Sequence, residues 1–201
     1  MSKGPLNQKV NDMNRSLSPP PQALEVVCFW QEAGPERWFA KSDAFDADIR
    51  RRFLALVDDA QAGGLSDWAA TADGTLALML VLDQFPRNLF RGSPRAFAGD
   101  AHALALANAA IARGFDRQVA PELRPFFYLP FMHSEVLADQ ERSLELYRIL
   151  HAEGGTDNRS FADEHHEIIA RFGRFPHRNA VLGRTTTPEE QAFLDGGGFK
   201  G

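Results

Sequence analysis

Four short stretches carry side chains able to hold ions or move protons. "DQFPRN" at 83–88 sets Asp83, Gln84, Arg87 and Asn88 on one turn, and "HSE" at 133–135 adds His133 and Glu135. "EHHE" at 164–167 supplies His165 and His166, and "RFGRFPHRN" at 171–179 supplies Arg174, His177, Arg178 and Asn179. Guanidinium groups bind carboxylate and phosphate through paired N–H donors, and imidazole titrates near neutral pH. Together these types suit a small anionic ligand. Arg87, Arg174 and Arg178 would hold the anion, with Asp83, Gln84, Asn88, His165 and Asn179 as further ligand-binding candidates. His133 or His177 would transfer a proton, and Glu135 or Asp83 would orient an imidazole or a cation. The same set serves a binding site or an enzyme.

Each cluster also has a purely structural use. Asp83 and Arg87 stand four apart, the spacing of a helical ion pair. Glu135 suits the first turn of a helix, where the dipole favours an anion. A histidine on an apolar helix face, such as His165, is commonly a satisfied core residue. No metal site is assigned, because His-Glu-x-x-His is absent and the adjacent histidines of "EHHE" diverge on a helix. Gly-rich phosphate loops and Gly-x-Ser-x-Gly elbows are missing too, so no cofactor is indicated.

Helices must position these groups. A first helix opens at Pro21 and breaks at "AGPERW". Ser42 or Asp43 caps a second, running to about Gln61, with Phe45, Ile49, Phe53 and Leu56 as its apolar stripe. "TLALMLVLDQF" is apolar on every face, which predicts a helix buried on all sides that stops at Pro86. Asp83 therefore begins inside the protein, where an unpaired charge is costly. An Ala-rich helix follows from about Asp100 to Arg113, then a proline-broken run over Pro121–Pro130. Ser134 caps a helix from Glu135 to about His151. "SFAD" at 160–163 and "TPEE" at 187–190 have capping-box spacing. On the helix ending at Gly173, Phe161, His165, Ile168 and Phe172 share one face, read as the core face. No alternating strand pattern appears. The class is all-α, in antiparallel helix pairs.

The chain has 201 residues, a net charge of −5 and one cysteine, Cys28. That balance argues against a nucleic-acid partner, and no apolar run is long enough to cross a membrane. A single cysteine excludes an internal disulfide and suits a reducing compartment, so the cytoplasm is the expected location. Cys28, within "LEVVCFW", reads as a buried, inert thiol. Residues 1–20 read as a disordered or loosely docked arm, and 21–201 as one helical domain.

"LALMLVLDQFPRN", "FFYLPFMHSE", "RFGRFPHRNAVLGR" and "TPEEQAFL", with "RWFAKSDAFDADI" before them, resemble the bacterial domain of unknown function 924 family across about residues 21 to 199. Its motif positions here include Asp83, Gln84, Arg87, Asn88, His133, Ser134, Glu135, Arg174, His177, Arg178 and Asn179. The resemblance implies a tetratricopeptide-like helical array. It implies no activity and no cofactor. Arrays of that kind often take a peptide in a concave groove, so a peptide- or protein-binding scaffold is the alternative to a small-anion site. In that case the polar clusters would pin helix ends.

Overall fold

The computed structural model describes residues 18–199, so most of the expected N-terminal arm lies outside the described residues. Among them the chain is all-helical. The α-helices are α1 (Pro21–Ala33), α2 (Pro35–Trp38), α3 (Asp43–Gln61), α4 (Ala72–Met79), α5 (Phe85–Leu89), α6 (Asp100–Ala112), α7 (Leu129–Met132), α8 (Leu137–Ala152), α9 (Arg159–Phe172) and α10 (Pro188–Asp195). Short 3₁₀ turns link several of them, including Pro94–Phe97, Pro121–Phe127 and Pro176–Arg178. None of these helices is long and apolar enough to cross a membrane.

The segment from Ala72 to Leu89 is the axis of the molecule. Its residues from Gly74 to Pro86 are all buried. α4 packs against α1, and α5 against α3, as a helix apolar all round requires. The expectation of a stop at Pro86 is wrong. The chain stays helical by passing through a π turn, Leu80–Gln84, in which the Phe85 amide donates to the Leu80 carbonyl. Proline has no N–H to offer, so the hydrogen-bond ladder is already interrupted there. A one-residue slip absorbs the break, as π-bulges do.

Aromatic rings fill the main core. Phe29 stacks on Phe45 at 5.4 Å, and Phe53 on Phe85 at 5.1 Å. A smaller cluster forms from Ile168, Ile169 and Phe175, packed by Phe172, Phe193 and Phe199. α8 and α9 run alongside each other in the most extensive helix pair.

Four local expectations are corrected. α8 begins at Leu137, two residues late, because the Ser134 hydroxyl is engaged by the Val136 amide and Asp139. The capping box expected at Ser160 does not form. Asp157 instead accepts from the amide and guanidinium of Arg159, and α9 starts two residues earlier, at Arg159. On that helix Phe161 is 55% exposed, so the buried face is Ala162, His165, Ile168 and Ile169. Cys28 is exposed rather than buried, on the solvent side of α1.

Candidate functional site

The π turn delivers Asp83, 2% exposed, to the inside of the molecule. Its Oδ1 lies 3.0 Å from Arg87 Nη1 and 2.8 Å from His133 Nδ1, while Gln84 donates to Oδ2 at 2.5 Å. Burial works to raise the Asp83 pKa. The charge of Arg87, then that of His133 in its protonated form at low pH, and hydrogen bonds from His133 and Gln84 outweigh it and hold the carboxylate well below the usual range. Asp83 is therefore ionised at neutral pH.

Arg87 turns its other edge to Asp100, the first residue of α6, in a bidentate contact of 3.1 and 3.0 Å. Gly99 makes this possible. A Cβ there would sit 2.2 Å from the Leu82 carbonyl oxygen, so only glycine lets α6 begin so near the π turn. The same carboxylate lies 3.6 Å from Arg178 Nη1. Asp100 feels opposing influences, and its pKa is raised, chiefly by burial.

Arg178 arrives from the 3₁₀ turn Pro176–Arg178 and is 6% exposed. Its guanidinium lies over the Phe175 ring at 4.4 Å and the Phe97 ring at 4.8 Å. Nη1 donates to the His133 carbonyl at 3.0 Å. Nε is buried and has no hydrogen-bond partner. Burial, then the nearby Arg87 charge, pulls its pKa down to about 10.

His133 thus sits between an ionised carboxylate and two guanidinium groups. Burial first, then Arg87, lowers its pKa, against the attraction of Asp83. The ring is neutral at pH 7, and the Asp83 contact makes Nδ1 the donor. Nε2 is then the acceptor. It has no partner among the described residues and is not one of the fully buried unpaired atoms.

The remaining candidates form separate locks. Glu135 accepts from Arg184 at 2.6 and 3.0 Å and from the Phe175 amide at 2.8 Å. Arg174 grips Glu190 at 2.6 and 2.8 Å, and Asn179 donates to the same carboxylate at 3.1 Å. Asn88 turns away to Asp46, at 2.8 Å. It borders a surface concavity of about 510 Å³, lined by Asp46, Arg50, Arg51, Leu89 and Arg91 among others. His165 Nδ1 donates to the Phe161 carbonyl, 2.7 Å away, and the ring stacks edge-on with Phe175 and Phe199. His177 lies 5.1 Å from Phe199, and its Nδ1 is buried without a partner. Burial lowers the pKa of His165 to about 4 and of His177 to about 3. Among the described residues no cluster of three or more metal-ligating side chains occurs.

Asp83, Gln84, Arg87, His133 and Arg178 therefore converge. Arg174, Asn179, Glu135 and Asn88 are engaged elsewhere. Sequence reasoning missed Asp100 and Arg184. An acid directly after the glycine of "AFAGD" was the available signal for Asp100. Arg184 had none, since its partner lies 49 residues away.

The family of bacterial proteins of unknown function DUF924 matches residues 26–198. A solved structure, that of a protein of unknown function, ATU0120, from Agrobacterium tumefaciens, is similar at 46% identity and a TM-score of 0.82. The match covers 87% of this chain and 97% of that one. Among curated proteins none matches.

Proposed function

The chain belongs to the bacterial DUF924 family, whose function is unknown, and from its own side chains we propose an acid–base site for a small anionic molecule. His133 is the proton-transfer group, Asp83 orients it, and Arg87 and Arg178 attract the anion. One observation carries this reading: a neutral imidazole held through Nδ1 by a buried, ionised carboxylate, with Nε2 left without a protein partner among the described residues. That is the arrangement by which a carboxylate fixes the tautomer of a general base. An imidazole whose pKa lies below neutral is unprotonated, and so able to accept a proton, at pH 7.

The test is a screen of small carboxylates and phosphorylated metabolites for chemical conversion, run in parallel on the native chain and on His133→Gln. Conversion by the native chain, lost in His133→Gln with ligand binding retained, is the expected result. Binding without any His133-dependent conversion would remove the acid–base role and leave a receptor.

The scaffold reading keeps one supporting observation, the open concavity along α3. A peptide seated there would contact Arg50 and Arg51 rather than His133. Crosslinking from an Arg51→Cys variant, with Cys28 replaced by serine, separates the two.

A further inference from the structure

Arg178 is the least compensated charge among the described buried groups. Arg87 has two carboxylates, Asp83 and Asp100, within 3.1 Å. Arg178 has one, Asp100, at 3.6 Å, and that carboxylate is already paired face to face with Arg87. Two phenyl rings, Phe97 and Phe175, pack against the guanidinium, and its Nε–H is buried and unpaired. A buried donor left without an acceptor costs about 1–3 kcal/mol, more when charged. Asp100 is the more exposed of the two carboxylates in the cluster. Its side chain is 20% exposed, against 2% for Asp83, and it starts a helix rather than lying within one. A turn about its own side-chain bonds would release it to water without moving α6.

We propose that Asp100 is a displaceable internal counter-ion, and that the anion of the proposed site is a carboxylate that takes its place beside Arg178. The inference rests on the anion-site reading above and deepens it. A ligand carboxylate reproduces the planar, two-oxygen contact that Asp100 makes with Arg87. It can also approach Arg178 more closely than a side chain tethered to the first turn of α6. Arg87 stays neutralised by Asp83 throughout, so Arg178 is the specificity-determining residue. Asp100 keeps the cluster charge-balanced until ligand arrives. Its occupancy reduces apparent affinity by the fraction of time the place is free.

Acetate, inorganic phosphate and chloride, at matched ionic strength, are the probes. The readout is the arginine Nε–H resonances of the ¹⁵N-labelled chain. In the native chain, acetate is expected to shift the Arg178 Nε–H saturably, and chloride is not. In Asp100→Asn, which keeps the shape and removes the competing charge, saturation is expected at roughly ten-fold lower acetate or less. Arg178→Gln, monitored by acetate-dependent thermal stabilisation, is expected to lose the response. Should Arg178→Gln fail to fold, the native titration decides alone. No saturable shift at Arg178, or unchanged affinity in Asp100→Asn, overturns the proposal. Equal effects of all three ions mean screening and overturn it too, and preference for phosphate overturns the carboxylate assignment. Loss of His133-dependent conversion leaves this titration untouched, so the two readings fail separately.

Discussion

Asp83 holds Arg87, His133 and Gln84 at once, so its charge governs the state of all three. Asp83→Asn is expected to lower the stability to urea by about 2–4 kcal/mol, because it removes the most buried carboxylate of the cluster and leaves Arg87 and Arg178 to share Asp100 alone. The same variant should raise the fraction of His133 in the other tautomer, read from its ring ¹⁵N shifts. The buried histidines set an acid dependence. His165 and His177 have folded pKa values of about 4 and about 3 against an ordinary 6.5, so the unfolded chain takes up protons first. Their contribution is full above pH 6.5 and is lost as pH falls, levelling off only near 4 and 3. Between pH 6.5 and about 5 the loss is up to about 2 kcal/mol per histidine. Glu190, drawn to about 2 chiefly by Arg174, adds its share below the usual carboxylate pKa, at lower pH. A urea midpoint that falls between pH 7 and pH 5, and falls less in His165→Leu, is the expected measurement. The inward placement of Asp83 was legible, since it follows an unbroken apolar run. That of Asp100 was legible only as a helix start after Gly99, since its pairing with Arg87 and Arg178 joins segments 13 and 78 residues away.

Helix starts were readable where no neighbouring side chain takes the cap's own hydrogen bonds. Thr187 and Glu190 form their capping box as the spacing predicts, with the Thr187 amide donating to Glu190 at 2.7 Å. Ser134 and Ser160 have the right types but are overruled by neighbours, Asp139 in one case and Asp157 in the other. The π turn was unreadable for a different reason. Periodicity marks Leu80–Gln84 as helical and buried but cannot distinguish an i→i+5 bond from an i→i+4 bond. The close approach of Gly99 to Leu82 is the element-scale lock on the site. Gly99→Ala would place a methyl against backbone, which cannot yield as a side-chain tip can. We expect a stability loss of about 1–3 kcal/mol by thermal or urea unfolding. The guanidinium resonance of Arg87 should also shift as α6 is pushed from it. The backbone of Gly99 is unstrained for other residues (φ −90°), so the loss is steric alone.

At the scale of the molecule, the site straddles two hydrophobic clusters. Asp83, Arg87 and Asp100 belong to helices of the main core, whereas Arg178 follows Phe175 of the smaller one. Arg174, Asn179 and the Thr187 cap, all meeting at Glu190, hold the smaller cluster in shape. Glu190→Ala is therefore expected to speed amide hydrogen exchange over residues 174–195 while leaving 72–89 protected. Equal acceleration in both segments would show that the two clusters open as one. The all-helical class was legible from periodicity, because each helix carries its own signal. The pairing of distant segments was not, since Glu135 and Arg184 come together only in three dimensions. The π turn also has a meaning for length. In an α-helix each residue turns the chain by about 100°, and a π turn inserts one residue without ending the helix. Removing one residue between Thr75 and Pro86 would restore a regular helix and rotate everything before the deletion relative to Arg87. The axis would remain buried, but Asp83 and its neighbours would face the wrong way. A single-residue gap at that point of an alignment would mark relatives that keep the fold and have lost the site.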